Sequence, residues 1–592
     1  RELVGPIIAM TLTLVTVYIP IGFQGGLTGA LFREFAFTLA GAVLVSGIVA
    51  LTLSPMMCSK FLPKEFSPKG LVSRLERGFE RLKHLYGRLL AAALRSRPVV
   101  NTMAVLIVLL AFPFFLFTQK ELAPQEDQGV IFSALFGPPT GTLDQTLLYS
   151  SEVVDVYDEV PETANTFAIS FPGAGVPGQP FAGFVGLVTK PWSERERTTE
   201  EILAAIQPKL DSISGLEVRG SLPSPLPGGS QFPVEFVITT TAEPIEILPV
   251  AEELVKRANE SGKFMFAFSD LKFDRPQIEV DIDRDLAASL GLDMSRVGSD
   301  LGSALSGAFV NRFSIDGRSY KVIPQVTRTA RLTADQIGDL YFTATDGTAY
   351  PASTLIDITE TVQPRTLSRF QQLNSAIIQG VPLPGTTLDD ALNFLEEQAE
   401  DVFPKGRGFG INYGGESRQL VTEQGSGANI LLFSILFIFL VLAAQFESFR
   451  DPLIILLGSV PLALTGSLLF TFLGFTTMNI YSQIGLVTLV GLIAKNGILI
   501  VEFANELQRR GKSKLEAIRE AAEIRLRPIL MTTAATVFGH MPLVFVTGAG
   551  AAARNSIGIT LVTGMAIGTL FTIFVVPSLY MLIARDRKGQ NV

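Results

Sequence analysis

Cysteine is almost missing from this chain: Cys58 is the only one in 592 residues, so no intrachain disulfide is possible. Soft ligands are scarce too. Between residues 119 and 425 the only methionines are Met265 and Met294, which argues against a thioether site for soft metal ions. Charge is missing from the apolar runs: loops 24–32 and 475–480 carry none, and no Asp or Glu lies deep in any run. What the chain does have is apolar residue. It is 47% hydrophobic with a mean hydropathy of +0.37, high for a soluble protein. Eight runs, near 3–23, 35–57, 98–118, 429–446, 452–474, 481–502, 528–546 and 556–583, are long and apolar enough to span a bilayer core. The polar, Gly/Pro-rich block between the third and fourth runs is roughly 300 residues, too long for a loop, and must fold as one or more domains.

Three prolines recur. Pro6, Pro20 and Pro55 are 14 and 35 residues apart, as are Pro528, Pro542 and Pro577, so one offset of 522 aligns the first and last apolar blocks. Pro6-Ile7-Ile8 then faces Pro528-Ile529-Leu530, and Leu53-Ser54-Pro55 faces Val575-Val576-Pro577. A repeat of this kind in a membrane protein points to a transporter with two related halves. It predicts that residues 3–57 and 525–579 form matching helix pairs, and that residues 1–62 are the tail of a first copy whose head lies upstream of Arg1.

Residues 60–97 hold ten Lys/Arg against three acids, residues 503–527 hold seven, and the tail carries Arg585, Arg587 and Lys588. Basic short loops face the cytoplasm, which places both ends of the chain inside and the polar block outside. Six spans separate the two copies, so they share an orientation, related by a pseudo-two-fold along the membrane normal. Within 60–97, Leu71, Leu75, Phe79, Leu82, Tyr86 and Leu89 recur at helical spacing among arginines, the pattern of a helix on the inner membrane surface, with a plain solvent-exposed linker helix as the competing reading.

The polar block alternates strands and helices. Strand 130–136, helix 143–156, strands 166–171 and 182–189, helix 199–213 and strand 215–222 make a β-α-β-β-α-β order, the ferredoxin-like pattern. A second unit reads as strand 233–239, helix 245–259 and strand 277–282, closed by strand 374–379, helix 388–402 and strand 408–413. Residues 284–370 are then an insertion, with a helix at 295–305 and a hairpin turning at Asp316-Gly317.

One charge lies well inside a span: Lys495. An ammonium at mid-bilayer costs about 2.5–3.5 kcal/mol, so such a residue faces a protein interior and a counter-charge. It is too deep to snorkel. By the repeat offset the equivalent position falls 27 residues before Arg1, where the partner carboxylates are expected.

These residues carry a resemblance. Gly491-Leu-Ile-Ala-Lys-Asn-Gly-Ile-Leu-Ile-Val-Glu-Phe-Ala504 resembles the tenth span of the resistance–nodulation–division (RND) efflux pumps, and Arg525-Leu-Arg-Pro-Ile-Leu-Met-Thr532 the start of their eleventh. Leu442-Ala-Ala-Gln-Phe-Glu-Ser-Phe449 resembles the end of the eighth, and Phe32-Arg-Glu-Phe-Ala36 with Leu53-Ser-Pro55 the fifth-to-sixth region. The likeness covers essentially the whole chain and is greatest to the hydrophobe/amphiphile multidrug branch. It implies an α-helical membrane protein with α+β periplasmic domains, here a C-terminal fragment with eight transmembrane helices of twelve. The implied layout is spans 5–6 at 1–62, a cytoplasmic interfacial helix at 63–97 and span 7 at 98–118. A porter subdomain follows at 119–225, a second at 226–283 and 371–425, and a docking subdomain inserted at 284–370. Spans 8–12 at 426–584 and a cytoplasmic tail at 585–592 complete it.

The resemblance implies proton-driven export of hydrophobic and amphiphilic compounds, with no cofactor beyond the proton-motive force and no enzymatic activity. It implies a homotrimer in the bacterial inner membrane, joined to a periplasmic adaptor and an outer-membrane channel. Lys495, Arg525 and Thr532 take the places of the family's proton relay, with Asn496 as a neighbour; an inner-face anchor for Arg525 and a helix-packing hydroxyl for Thr532 are the competing readings. His540 also sits in a span, where the family pattern is apolar. Phe167, Phe171, Phe181 and Phe184 flank the Gly/Pro loop Pro172–Pro180, the place of the family's switch loop beside the drug pocket, although relatives often place Phe where this loop has Gly and Pro. Phe232, Val234 and Phe236 resemble its outer cleft. For each phenylalanine ordinary core packing is the competing reading. The rival functions are heavy-metal cation efflux and a protein-secretion accessory role, and the fragment alone is expected to be inactive.

Overall fold

The computed structural model describes residues 4–61, 71–170, 179–305, 309–423 and 426–586. The first apolar runs form α1 (Val4–Gly22), α2 (Gly26–Leu51) and α3 (Leu53–Phe61), followed by the amphipathic α4 (Leu71–Arg95) and by α5 (Arg97–Phe117). The polar block opens with β1 (Val130–Phe136), α6 (Leu143–Asp158), β2 (Thr163–Ser170), β3 (Ala182–Thr189), α7 (Thr199–Asp211) and β4 (Glu217–Ser221). It continues with β5 (Val234–Thr240), α8 (Pro244–Glu260), β6 (Phe264–Ser269) and β7 (Arg275–Ile282). Next come α9 (Arg284–Ser289), α10 (Met294–Leu305), β8 (Asn311–Ile315), β9 (Arg318–Val322), β10 (Tyr341–Thr343), β11 (Ala349–Pro351) and β12 (Ile356–Gln363). The block closes with β13 (Ser368–Phe370), β14 (Leu373–Pro382), α11 (Leu388–Val402), β15 (Gly410–Tyr413) and α12 (Gly415–Glu423). Five apolar helices end the chain: α13 (Ser426–Phe446), α14 (Arg450–Phe472), α15 (Ile480–Arg509), α16 (Lys514–Phe545) and α17 (Ala551–Ile583).

Among the described residues, seven helical stretches are long and apolar enough to cross a membrane; the first run, Ile7–Gly22 within α1, is shorter. α15 is the hub. Of its most apolar stretch 89% is buried, whereas α5 has no fully buried residue in that stretch. α15 starts at a cap where Asn479 accepts from the backbone N–H groups of Tyr481 and Ser482, so its first orphan donors are satisfied. Close approach depends on small residues. A Cβ on Gly491 of α15 would stand 2.8 Å from Val17 of α1, and one on Gly568 of α17 would stand 2.9 Å from the backbone of Ala463 on α14.

The proline repeat maps onto helices with one difference. The second copy runs unbroken through Pro577 in α17, but the first stops at Thr52 and restarts as α3 before Pro55. Proline removes an intrahelical hydrogen bond at both places. Around Pro577 the neighbours Val575, Val576 and Tyr580 are buried and hold the helix together, while residues 52–61 are exposed.

The first α/β unit is a four-stranded antiparallel sheet in the order β2-β3-β1-β4, with α6 and α7 covering one face. Ile131, Leu135, Val185, Leu187 and Val218 point into that core. In the second unit β14 lies between β5 on one side and β6 and β13 on the other, and β15 pairs with the far edge of β5. Its succession of β5, α8, β6, β14, α11 and β15 gives the same 2-3-1-4 order. Here the sequence reading is corrected. The second strand of this unit is β6, not the run at 277–282; that run lies in β7, which pairs with β12 in a separate two-stranded ribbon. Phe264-Met-Phe-Ala-Phe268 is apolar at every position, and a continuous run lacks the alternation that marks a strand. Between β7 and β12 lie α9, α10 and the β8–β9 hairpin, which turns on Asp316 and Gly317, both at positive φ.

Candidate functional site

Lys495 sits midway along α15, partly buried, and its Nζ donates to the Thr536 hydroxyl of α16 at 3.2 Å. Thr536 in turn donates to the carbonyl of Thr532 at 2.8 Å, and the His540 Nδ1 lies 2.7 Å from the carbonyl of Thr536. Among the described residues no carboxylate lies within ion-pair distance of Lys495. The next residue, Asn496, is fully buried and faces α17. Its Nδ2 donates to Thr569 at 3.1 Å, Thr569 and Thr533 share a hydrogen bond of 3.2 Å, and its Oδ1 has no partner among the described residues. Lysine and asparagine therefore open two separate hydroxyl chains, one to α16 and one through α17 to α16.

The other two residues of the expected group stand apart. The Thr532 hydroxyl donates to the carbonyl of Ile529 in its own helix at 3.1 Å, so it reaches Lys495 only through its main chain. The Arg525 guanidinium lies 4.5 Å from the Phe503 ring centre, and Phe503 is eight residues beyond Lys495, about 12 Å along the axis of α15. Thr533, Thr536 and Thr569 escaped sequence reasoning. The available signal was Thr532 and Thr536 at i, i+4 on one helix face. A further buried network also escaped it: Asn505 donates to Asp451 at 3.1 Å, Tyr580 donates to Asn505 at 2.7 Å, and Gln508 donates to Tyr580 at 2.6 Å, tying together α14, α15 and α17.

Above the helices, the first α/β unit is bolted to the upper ends of α15 and α17. Glu121 hydrogen-bonds Thr477, and Asn479 donates to both Thr477 at 2.9 Å and Ser556 at 3.3 Å. Glu126 accepts from the backbone N–H of Ala553, in the first turn of α17, at 2.8 Å. Asp127 holds the buried Arg195 through two hydrogen bonds of 2.7 and 2.8 Å and accepts from the N–H groups of Gly129 and Thr199. Burial opposes ionisation of Asp127, but the guanidinium and these donors outweigh it, and its carboxyl is held below the usual carboxylate range. Arg195 stacks on Trp192 at 4.1 Å. A cavity of about 290 Å³ lies at the same level, walled by Phe115, Leu431, Met478 and Leu486 with Lys120 and Glu121 on its lining.

The phenylalanines divide. Phe167 and Phe184 meet Phe132 on the sheet face turned away from α6 and α7, with ring centres 6.5 and 5.1 Å from Phe132. Phe181 is buried, with the Arg365 guanidinium 4.9 Å from its ring. Phe171 and residues 172–178 lie outside the described residues. Phe236 is fully buried against Tyr413, and Phe232 is enclosed by Phe266 and Phe268, so both are packed side chains rather than walls of an open cleft. A group not read from the sequence joins the two units. Phe136 of β1 meets Phe268 of β6 at 5.6 Å, and the Arg219 guanidinium sits 4.8 and 5.0 Å from the rings of Phe266 and Phe268.

The fold is thus a bundle of membrane-length helices with a cation in its most buried helix, capped by paired α/β units. The chain matches the AcrB/AcrD/AcrF family over residues 1–584 and belongs to that resistance–nodulation–division family. It is 41% identical over 599 residues to an uncharacterized transporter of Haemophilus influenzae, covering 99% of this chain and 57% of that protein. It is 31% identical to multidrug resistance protein MdtF of Escherichia coli (98% and 57%). It is 29% identical to the multidrug/solvent efflux pump membrane transporter MepB of Pseudomonas putida (99% and 56%). The chain thus spans little more than half the length of these relatives.

Proposed function

We propose that this chain carries the cationic half of a proton relay in a pump of the hydrophobe/amphiphile branch, exporting apolar and amphiphilic compounds. The observation that carries the reading is Lys495: one ammonium, in the most enclosed helix, hydrogen-bonded across to α16. Protonating a carboxylate that faces such a lysine removes its ion pair and lets the side chain reorient. Each proton moving inward gains about 2.3 kcal/mol per 100 mV. α15 is largely buried and capped by Asn479, which also connects through Thr477 to Glu121 at the entry to the first α/β unit, so a shift at Lys495 has a direct mechanical route outward. The names of MdtF and MepB support drug and solvent export, and the Phe132, Phe167 and Phe184 face offers non-directional apolar contact.

In this reading the protein lies in the bacterial inner membrane with eight spans, α1 counted as the first. The α/β units are periplasmic porter subdomains carrying an inserted docking subdomain. The pump works as a homotrimer with an adaptor and an outer-membrane channel. The test is dye efflux from energised cells making the complete transporter, with membrane protein levels measured in parallel. Lys495→Ala should abolish efflux with expression unchanged, because losing the lysine leaves a facing carboxylate without its counter-charge. Near-normal efflux by a well-expressed variant would reduce Lys495 to a structural residue.

A further inference from the structure

α4 has three sectors rather than two. One packs on the bundle: Tyr86, Leu90 and Leu94 are buried, and the Tyr86 hydroxyl donates to the carbonyl of Ile573 in α17 at 2.8 Å. A second sector is a leucine stripe facing outward, with Leu82 43% exposed, Leu85 47% and Leu89 51%, at spacings of three and four. The third is a row of arginines, Arg74, Arg81, Arg88 and Arg95, each seven residues from the next and all exposed. Seven residues are two turns, so consecutive guanidinium stems stand about 10 Å apart in a line beside the leucines. The helix's acids, Glu76 and Glu80, fall between that row and the bundle face, away from the stripe. The row is not a symptom of a basic chain, since the formal net charge is −8.

We infer that this face of α4 binds anionic phospholipid headgroups, the leucines entering the headgroup–acyl boundary while the arginines contact phosphates. Two features favour lipid over solvent or protein. The charge is complementary to an anionic leaflet and lies directly beside apolar side chains, the arrangement of interfacial helices. The stripe also continues into the outward flank of α5, which starts two residues after α4 ends and exposes Val99, Met103, Leu106 and Leu110. Arginine recognises phosphate through a planar fork, so the preference is for the headgroup class and not only for an apolar surface. The inference rests on the membrane reading given above.

The test uses the whole chain in nanodiscs, in a Cys58→Ser background with a fluorophore on a single introduced cysteine. Leu85→Cys reports the stripe and Leu109→Cys reports the flank of α5. Brominated phosphatidylglycerol and brominated phosphatidylcholine quench fluorophores they touch. Brominated phosphatidylglycerol should quench the probe at 85 roughly twofold more than brominated phosphatidylcholine, and the excess should vanish when Arg74, Arg81 and Arg88 are changed to Gln. The two-lipid comparison on the arginine-intact protein stands even if the triple variant misfolds. Equal quenching by the two lipids would overturn the headgroup preference. A quenched probe at 109 beside an unquenched one at 85 would overturn the inference and leave the membrane reading intact, showing that protein covers the face. An unquenched probe at 109 would overturn both.

Discussion

The Thr536 hydroxyl, not that of Thr532, touches Lys495, and the two threonines can be separated by a one-atom change. Thr536→Val keeps the volume and removes the acceptor of the ammonium. It should slow dye efflux at least about tenfold, the worth of a hydrogen bond to a charged group, about 1.5–3 kcal/mol. Thr532→Val removes only a bond within its own helix and should leave efflux near normal. The reverse order of effects would return Thr532 to the place the resemblance gave it. Lys495 was legible in the sequence because a charge inside an apolar run has few structural uses. Thr536 was not, because a threonine in an apolar helix breaks no pattern, and its partner is set by how α15 lies on α16. Phe236 shows the converse: alternation on a strand tells which side chains share a face, but not whether that face is open or covered.

At the level of elements, the apolar runs and the Asp316-Gly317 turn were readable because composition alone limits what they can form. β6 was not, since its uniformly apolar run carries no period, and its place beside β14 is decided by a chain segment more than a hundred residues away. The contact of α14 with α17 is another feature no period reveals. Gly568→Val should force the helices apart, because the fixed Cβ and Cα of Ala463, rather than the far end of a flexible side chain, meet the new Cβ first. The expected cost is about 1–3 kcal/mol, read as a lower melting temperature of the purified protein in detergent. An unchanged melting temperature would mean that the two helices slide without penalty.

Across the molecule, the Asp127–Arg195 pair pins the segment that leads from Glu126, bonded to the start of α17, into the first α/β unit, and this anchorage should be sensitive to pH. The Asp127 carboxyl is held below its usual range in the folded protein. Its contribution is therefore fully present above the ordinary carboxylate pKa of about 3.9 and is lost as pH falls through the lower folded value. The wild-type melting temperature should drop more steeply in acid than that of Asp127→Asn, which gives up the contribution at every pH. Parallel slopes for the two proteins would assign the acid sensitivity elsewhere. This arrangement was invisible in sequence: Glu126, Asp127 and Arg195 are ordinary residues in ordinary loops, Ala553 is an ordinary residue in the first turn of α17, and only the fold brings them together.

The chain has one tryptophan, and it sits at that anchorage, its indole against Arg195 and about 3.9 Å from where a Cβ on Gly548 would stand in the loop between α16 and α17. Emission excited at the red edge, beyond the absorption of the ten tyrosines, therefore comes in this chain from a single indole placed between the helical and the α/β parts. The guanidinium stacked on the ring and the loop beside it are the groups whose movement would alter that emission. Any working stroke that lifts the first unit off α17 would be written into the spectrum of the unlabelled protein, so its timing could be followed by stopped-flow after a pH jump.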